Sequence, residues 1–187
     1  YQQAGFTVLH TTNNGAILSG GYGSNQNWEP YGTFWRSVDG GESWNVVSEN
    51  VGIVRDYYEF ENDHNSIIYA ATDNGLYLSE NDGVSWVEVA LNDENGAAIS
   101  MKIRALGETL DGNSLLIGTA DNRGDVYVAS IVEDLTSLTL SMAIDATGGQ
   151  TENFANCGDY TYAAVNKAET GGLYRTNYIT GSQNWEK

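Results

Sequence analysis

The chain has 187 residues, with 22 Gly, one Pro, 12 Tyr and 5 Trp, a mix suited to short strands joined by tight turns, where Gly supplies positive φ and aromatics fill pleated surfaces. Its formal charge is −17, from 25 acids against 8 Lys and Arg, which opposes polyphosphate and anionic lipid and excludes non-specific nucleic-acid binding. No apolar run approaches the ~18 residues needed to cross a bilayer, so no membrane insertion is expected.

In chain order, 6–10 and 16–19 read as strands, followed by a third in the stretch GTFWRS that ends at Ser37. A second set comprises 54–60, the apolar 66–72 (SIIYAAT), 75–79 and 85–89. A third comprises 103–109, 114–119 (SLLIGT), 125–130 (DVYVAS) and 138–144. The last comprises 160–165 (YTYAAV), 172–176 (GLYRT) and a stub at Trp185. Each run is short, rich in β-branched or aromatic side chains, and bounded by Gly, Asn or Asp; no window carries a convincing 3.6-residue apolar period.

Four units of one pattern emerge, at 1–49, 50–91, 92–145 and 146–187. The expected fold is all-β, a β-propeller of four-stranded antiparallel blades with about four blades in this chain. A chance likeness between the strands of a β-sandwich is the alternative, and the recurring Gly-aromatic third strand argues against it. Propeller rings close with about four to eight blades. Four is the rare lower limit, so the chain, which starts at Tyr1, is expected to be a segment of a larger propeller, with a composite ring shared with another chain and an unusual four-bladed closure as the other options.

Two windows carry a sharper signature. Ser37-x-Asp39-x-Gly41-x-Ser43-Trp44 and Ser79-x-Asn81-x-Gly83-x-Ser85-Trp86 share one spacing, and their indoles lie 42 positions apart. A short acid or amide at the third position can accept from turn amides, and the Gly permits positive φ. Thr176 to Trp185 reads as a decayed copy with a longer loop. These windows resemble the Asp-box, or BNR repeat, of the sialidase-like, xyloglucanase-like and sortilin-like propellers. The resemblance implies that the motif forms the hairpin between the third and fourth strands of a blade, away from any catalytic face. Trp44 and Trp86 are then expected to pack between blades, and Asp39 to be a turn residue rather than a catalyst.

The same resemblance puts ligands at the opposite end of each blade, on loops between second and third strands and loops leading into first strands. There the sequence offers Arg55, Asp56, Asp73 and Asp121 as ligand-binding candidates, with Lys102, Arg104 and the loop 167–170 nearby. Asp73, in Thr72-Asp73 followed by Gly75-Leu76-Tyr77, resembles the segment that bears a catalytic Asp in xyloglucanase-like hydrolases, where two carboxylates serve as acid and base. A sialidase would want three arginines on one carboxylate; Arg36 and Arg175 fall on third strands instead. Tyr22, Tyr31, Tyr57 and Tyr58 are candidate sugar- or peptide-contacting surfaces, with core or inter-blade packing as the favoured alternative for each.

His10 and His64 lack ligand spacing, and the loop 93–96 lacks the alternation of a calcium site, so no metal and no cofactor is implied. Cys157 is the single Cys and is expected to be a packed thiol. The expected function is a non-enzymatic extracellular or cell-surface module that scaffolds or binds a protein or glycan partner, with further blades from the same or another chain as an additional candidate partner. A fragment of a glycoside hydrolase is the alternative.

Overall fold

The computed structural model describes residues 2–24, 30–61, 66–120, 124–131, 134–146, 148–169, 171–177 and 184–187. They form two units, Tyr1–Glu88 and Val89–Lys187, and contain strands and turns but no helix.

In the first unit, β1 (Gln2–Thr11), β2 (Ile17–Ser24), β3 (Pro30–Ser37) and β4 (Asn45–Glu49) make one antiparallel sheet in sequential order. A second such sheet holds β5 (Val54–Glu61), β6 (Ser66–Thr72), β7 (Gly75–Ser79) and β8 (Val87–Glu88). The sheets meet through Leu18, Phe34, Val51, Val54, Tyr57, Ile68 and Ala70, with Trp86 and Tyr77 against them. The Trp86 indole stacks on the Phe34 ring at 4.4 Å between centroids. Small residues let the backbones close up: a Cβ on Gly20 would stand 2.4 Å from Cβ of Val54. Polar pins flank this apolar contact. Arg36 donates from Nε to the Asp82 carbonyl and from Nη2 to its carboxylate, both at 2.7 Å. The Glu59 carboxylate, whose side chain is 3% exposed, meets the His10 ring and accepts from the Asn13 amide and the Ser66 hydroxyl, so its burial is compensated by several partners.

In the second unit, β10 (Ile103–Glu108), β11 (Ser114–Thr119), β12 (Val126–Ser130) and β14 (Ser141–Ile144) form a sheet. A three-stranded sheet follows, of β15 (Gln150–Cys157), β16 (Tyr160–Asn166) and β17 (Gly172–Thr176). Leu116, Val126, Val128 and Ile144 of the former meet Ala163 and Val165 of the latter, with Tyr174 and Trp185 packed alongside. A Cβ on Gly118 would stand 2.5 Å from Thr151, the same close approach as Gly20 on Val54. The pattern of the first junction thus recurs inside the second unit.

Several expectations are corrected. The strand expected over 85–89 pairs only at Val87–Glu88, because Ser85 is engaged in the hairpin and Trp86 in the core. The single strand expected over 138–144 is two: β13 (Ser137–Thr139) leaves the sheet and pairs in parallel with β9 (Ala90–Asn92), while β14 returns. The first strand of the last set, β15, was not anticipated, since QTENFANC carries little apolar signal. Cys157 is exposed rather than packed; it flanks the turn at Gly158, whose φ is +58°. Tyr57 is not a surface aromatic but 6% exposed, packed beside the stacked Phe34 and Trp86 rings, and burial pushes its phenol above its ordinary pKa. Trp44, unlike Trp86, is not between sheets: it is half-buried on Phe6 of its own sheet.

Candidate functional site

The strand ends that carry the candidate ligand residues are shaped by bulges. One extra residue sits at the start of β5 between Val54 and Asp56, of β10 between Ile103 and Ala105, and of β15 between Thr151 and Asn153. The residue before each bulge is fully buried, which anchors the strand. The extra residue, Arg55, Arg104 or Glu152, is released from the alternation of the pleat and re-aimed.

In the first unit, this brings Arg55 onto Asp73. Nε donates to Oδ1 at 2.8 Å and Nη2 to Oδ2 at 2.9 Å, a bidentate fork whose side chains are 32% and 15% exposed. Asp73 opens the two-residue turn between β6 and β7. The Thr72 hydroxyl donates to the Gly75 carbonyl and accepts from the Asn74 amide, and the Asn74 side chain donates to the Asn50 carbonyl. Asp56 lies one residue beyond the bulge and accepts from the Tyr57 amide at 2.9 Å. Asp121 and His64 lie outside the described residues. Because the guanidinium engages both oxygens of Asp73, protonating a leaving group from this carboxyl would require opening the fork.

The second unit has its own version. Arg104 donates from Nε to Oε2 of Glu152 at 2.7 Å, and Nη2 lies 2.6 Å from the same oxygen. Oε1 of Glu152 accepts from the Asn166 side chain at 3.3 Å. Glu152 escaped the sequence reading, although one signal was present. A β-branched residue followed by a long charged one recurs as Val54-Arg55, Ile103-Arg104 and Thr151-Glu152.

The two Asp-box hairpins lie at the other end of β3 and β7. In the first, the Ser37 hydroxyl donates to Asp39 at 2.8 Å and accepts from the Gly41 amide at 2.9 Å, and the Ser43 amide and hydroxyl both donate to Asp39. In the second, Ser79, Asn81, Gly83 and Ser85 repeat this, with Asn81 donating to the Ser85 hydroxyl in place of the last bond. Gly41 and Gly83 have φ of +91° and +76°, where a side chain is strained. The indole of Trp44 donates to the Gly41 carbonyl. Asp39 is therefore saturated by its own turn.

The Ser43 hydroxyl, followed by the Ser43 amide and Ser37, lowers the Asp39 pKa from 3.8 to about 2. A depressed folded-state value means that the carboxylate contributes stability above its unfolded pKa, and that this contribution fades as pH falls from 3.8 through about 2. Asp39→Asn should therefore flatten acid unfolding in that window. An acid titration of far-UV circular dichroism checks it, and unchanged pH dependence would count against the hairpin bonds.

No protein-family model matches the sequence, and no curated protein matches it. Solved structures do. A Trypanosoma rangeli sialidase superposes with a TM-score of 0.51 at 13% identity, over 90% of this chain and 30% of the sialidase. The same organism's sialidase in complex with 2,3-difluoro-KDN gives a TM-score of 0.51 at 14% identity, over 87% and 29%. The fold is that of a partial β-propeller. At such identity the likeness concerns fold alone, and the chain spans about a third of the length of the sialidases it matches. This propeller chain resembles them in its antiparallel blades, while its Arg55 and Arg104 each face a carboxylate of the chain itself.

Proposed function

We propose that this propeller is a non-enzymatic extracellular or cell-surface module that binds a protein or glycan partner through the strand ends carrying Arg55, Asp56 and Asp73. The observation that supports this reading is the Arg55–Asp73 fork, which occupies both oxygens of the best-placed acid. A matched ion pair whose side chains are 32% and 15% exposed still offers donors and acceptors to a hydroxyl-rich or peptide ligand, without the unengaged carboxyl that glycoside cleavage uses. Tyr22, Tyr31 and Tyr58 remain as aromatic contact candidates in the same unit.

A glycan array and a pull-down with the full chain test it, beside assays on sialosides and β-glucan oligosaccharides. Binding without turnover is expected, and Arg55→Ala should weaken binding about tenfold, the equivalent of ~1.4 kcal/mol. Turnover that vanishes in Asp73→Asn would sink the proposal. It would favour the second reading, a portion of a glycoside hydrolase, whose motivation is the sialidase identity of the solved structures sharing the fold.

A further inference from the structure

Glycine follows asparagine at three places, Asn14-Gly15, Asn74-Gly75 and Asn95-Gly96. This pair has a chemistry of its own. The Gly nitrogen, unhindered by a Cβ, can give its proton to a solvent base and attack Cγ of the preceding side chain. The new C–N bond closes an imide ring as ammonia leaves, and water then opens the ring at either carbonyl. The balance is asparagine plus water to aspartate or isoaspartate plus ammonia, with nothing oxidised or reduced. Cγ must swing over the Gly nitrogen, so whatever holds the Asn side chain sets the rate.

All three Asn lie in turns and are exposed. The glycines do not distinguish them: an added Cβ at Gly15, Gly75 or Gly96 would meet nothing within 4 Å. The Gly15 amide donates to the Thr12 carbonyl and the Gly96 amide to the Asp93 carbonyl, both at 2.9 Å, and Gly75 stands opposite Thr72 in the ladder. The difference lies in the asparagines.

Asn74 is clamped. Its Nδ2 donates to the Asn50 carbonyl at 3.0 Å and its backbone amide to the Thr72 hydroxyl at 3.1 Å. Gly52, at φ +77°, comes so close that a Cβ there would stand 2.9 Å from both Cγ and Oδ1 of Asn74. Swinging Cγ toward Gly75 breaks the bond to Asn50 and lifts the side chain off Gly52. Conversion would also set a second carboxylate beside Asp73, against a carbonyl to which the amide now donates. Asn14 has no such restraint, since its side chain meets no partner among the described residues. The Asn95 side chain reaches Asp93 of its own exposed turn, whose carboxyl is held below its ordinary pKa by the Ala97 amide first and then by Asn95.

The structure assigns Asn14 and Asn95 as sites of spontaneous deamidation in the folded chain, and Asn74 as a pair of the same sequence that the fold protects. Each conversion adds one negative charge, and the isoaspartate product adds a methylene to the main chain of its turn. The protected pair is the one beside the Arg55–Asp73 fork, so ageing alters two other turns and leaves that strand end intact. The assignment is independent of the ligand reading above.

Peptide mapping by mass spectrometry tests it on the full chain, aged in mildly alkaline buffer both folded and in concentrated urea. In the folded chain Asn14 and Asn95 should convert at least about tenfold faster than Asn74, giving aspartate and isoaspartate at both positions. In urea the three should convert at similar rates, because Gly is the next residue in each. Isoelectric focusing of the aged folded protein should show added acidic bands that Asn14→Gln and Asn95→Gln together remove, with circular dichroism unchanged. Asn74 keeping pace in the folded chain would overturn the inference. So would Asn14 and Asn95 staying intact in the folded chain while converting in urea. A gap that persists in urea would overturn it too, since sequence rather than fold would then set the rates.

Discussion

Trp86→Ala is expected to destabilise the first unit by ~2–4 kcal/mol, somewhat less than emptying a fully buried aromatic site, because the indole is partly buried against the core, and Trp44→Ala by about half as much or less. The two indoles share a sequence motif and differ in what covers them. Trp86 stacks on Phe34 at 4.4 Å and lies 5.9 Å from the Tyr57 ring, so truncation leaves a cavity at the junction of two sheets. The Trp44 ring centroid lies 6.4 Å from that of Phe6 and its indole hydrogen-bonds within its own hairpin, so truncation removes contacts within one sheet rather than at the junction of two. For a chain of this length the larger loss corresponds to a fall in melting temperature of roughly 10 °C. Urea unfolding followed by far-UV circular dichroism, at concentrations where the chain is monomeric, separates the variants. Equal losses at the two positions would mean that the hairpins are equivalent in packing as well as in bonding, contrary to the geometry.

The second large effect concerns the glycines of the same hairpins. Gly83→Ala should cost roughly 2–5 kcal/mol, and Gly41→Ala only about 1–2 kcal/mol. Both residues have positive φ, +76° and +91°, so both substitutions incur backbone strain. At Gly83, however, the added methyl would lie 2.4 Å from Cδ2 of Leu18 in the neighbouring sheet, whereas at Gly41 its nearest neighbour is the Trp44 ring at 3.8 Å. The difference between the two variants therefore isolates the overpacking of the sheet junction. Chemical denaturation of the pair reads it directly, and Gly41→Ala as damaging as Gly83→Ala would remove the Leu18 contact from the explanation.

The all-β architecture and its antiparallel sheets are legible in the sequence wherever burial is two-sided. SIIYAAT and SLLIGT are apolar runs because both faces of β6 and β11 are covered, which is what a central strand requires. β15 escapes the same test, because much of it is exposed and Thr151 is its one fully buried side chain. Tyr57 takes the packed alternative, and simple alternation does not show why. Counting by twos from the buried Val54 puts Asp56 and Tyr58 on the inner face. The bulge at Arg55 shifts the parity by one, so Tyr57 turns inward. The recurring pair of a β-branched and a long charged residue stands at that bulge without announcing the change of parity, and the bulge also aims Arg55 at Asp73. The residue types of the candidate site were therefore visible, but the pairing that engages Asp73 was set by register. The Asp-box hairpins are the opposite case, since every one of their bonds spans at most four residues. What covers an indole, by contrast, depends on the neighbouring sheet, which a local motif does not record.

The most direct measurement of the sheet-to-sheet junction is a nuclear Overhauser experiment on protein with protonated Trp and Phe rings in a deuterated background. Cross-peaks between the Trp86 indole and the Phe34 ring are expected, given their 4.4 Å stacking, with none between Trp44 and Phe34. Absence of the Trp86–Phe34 cross-peaks in the folded chain would contradict blades joined through that indole.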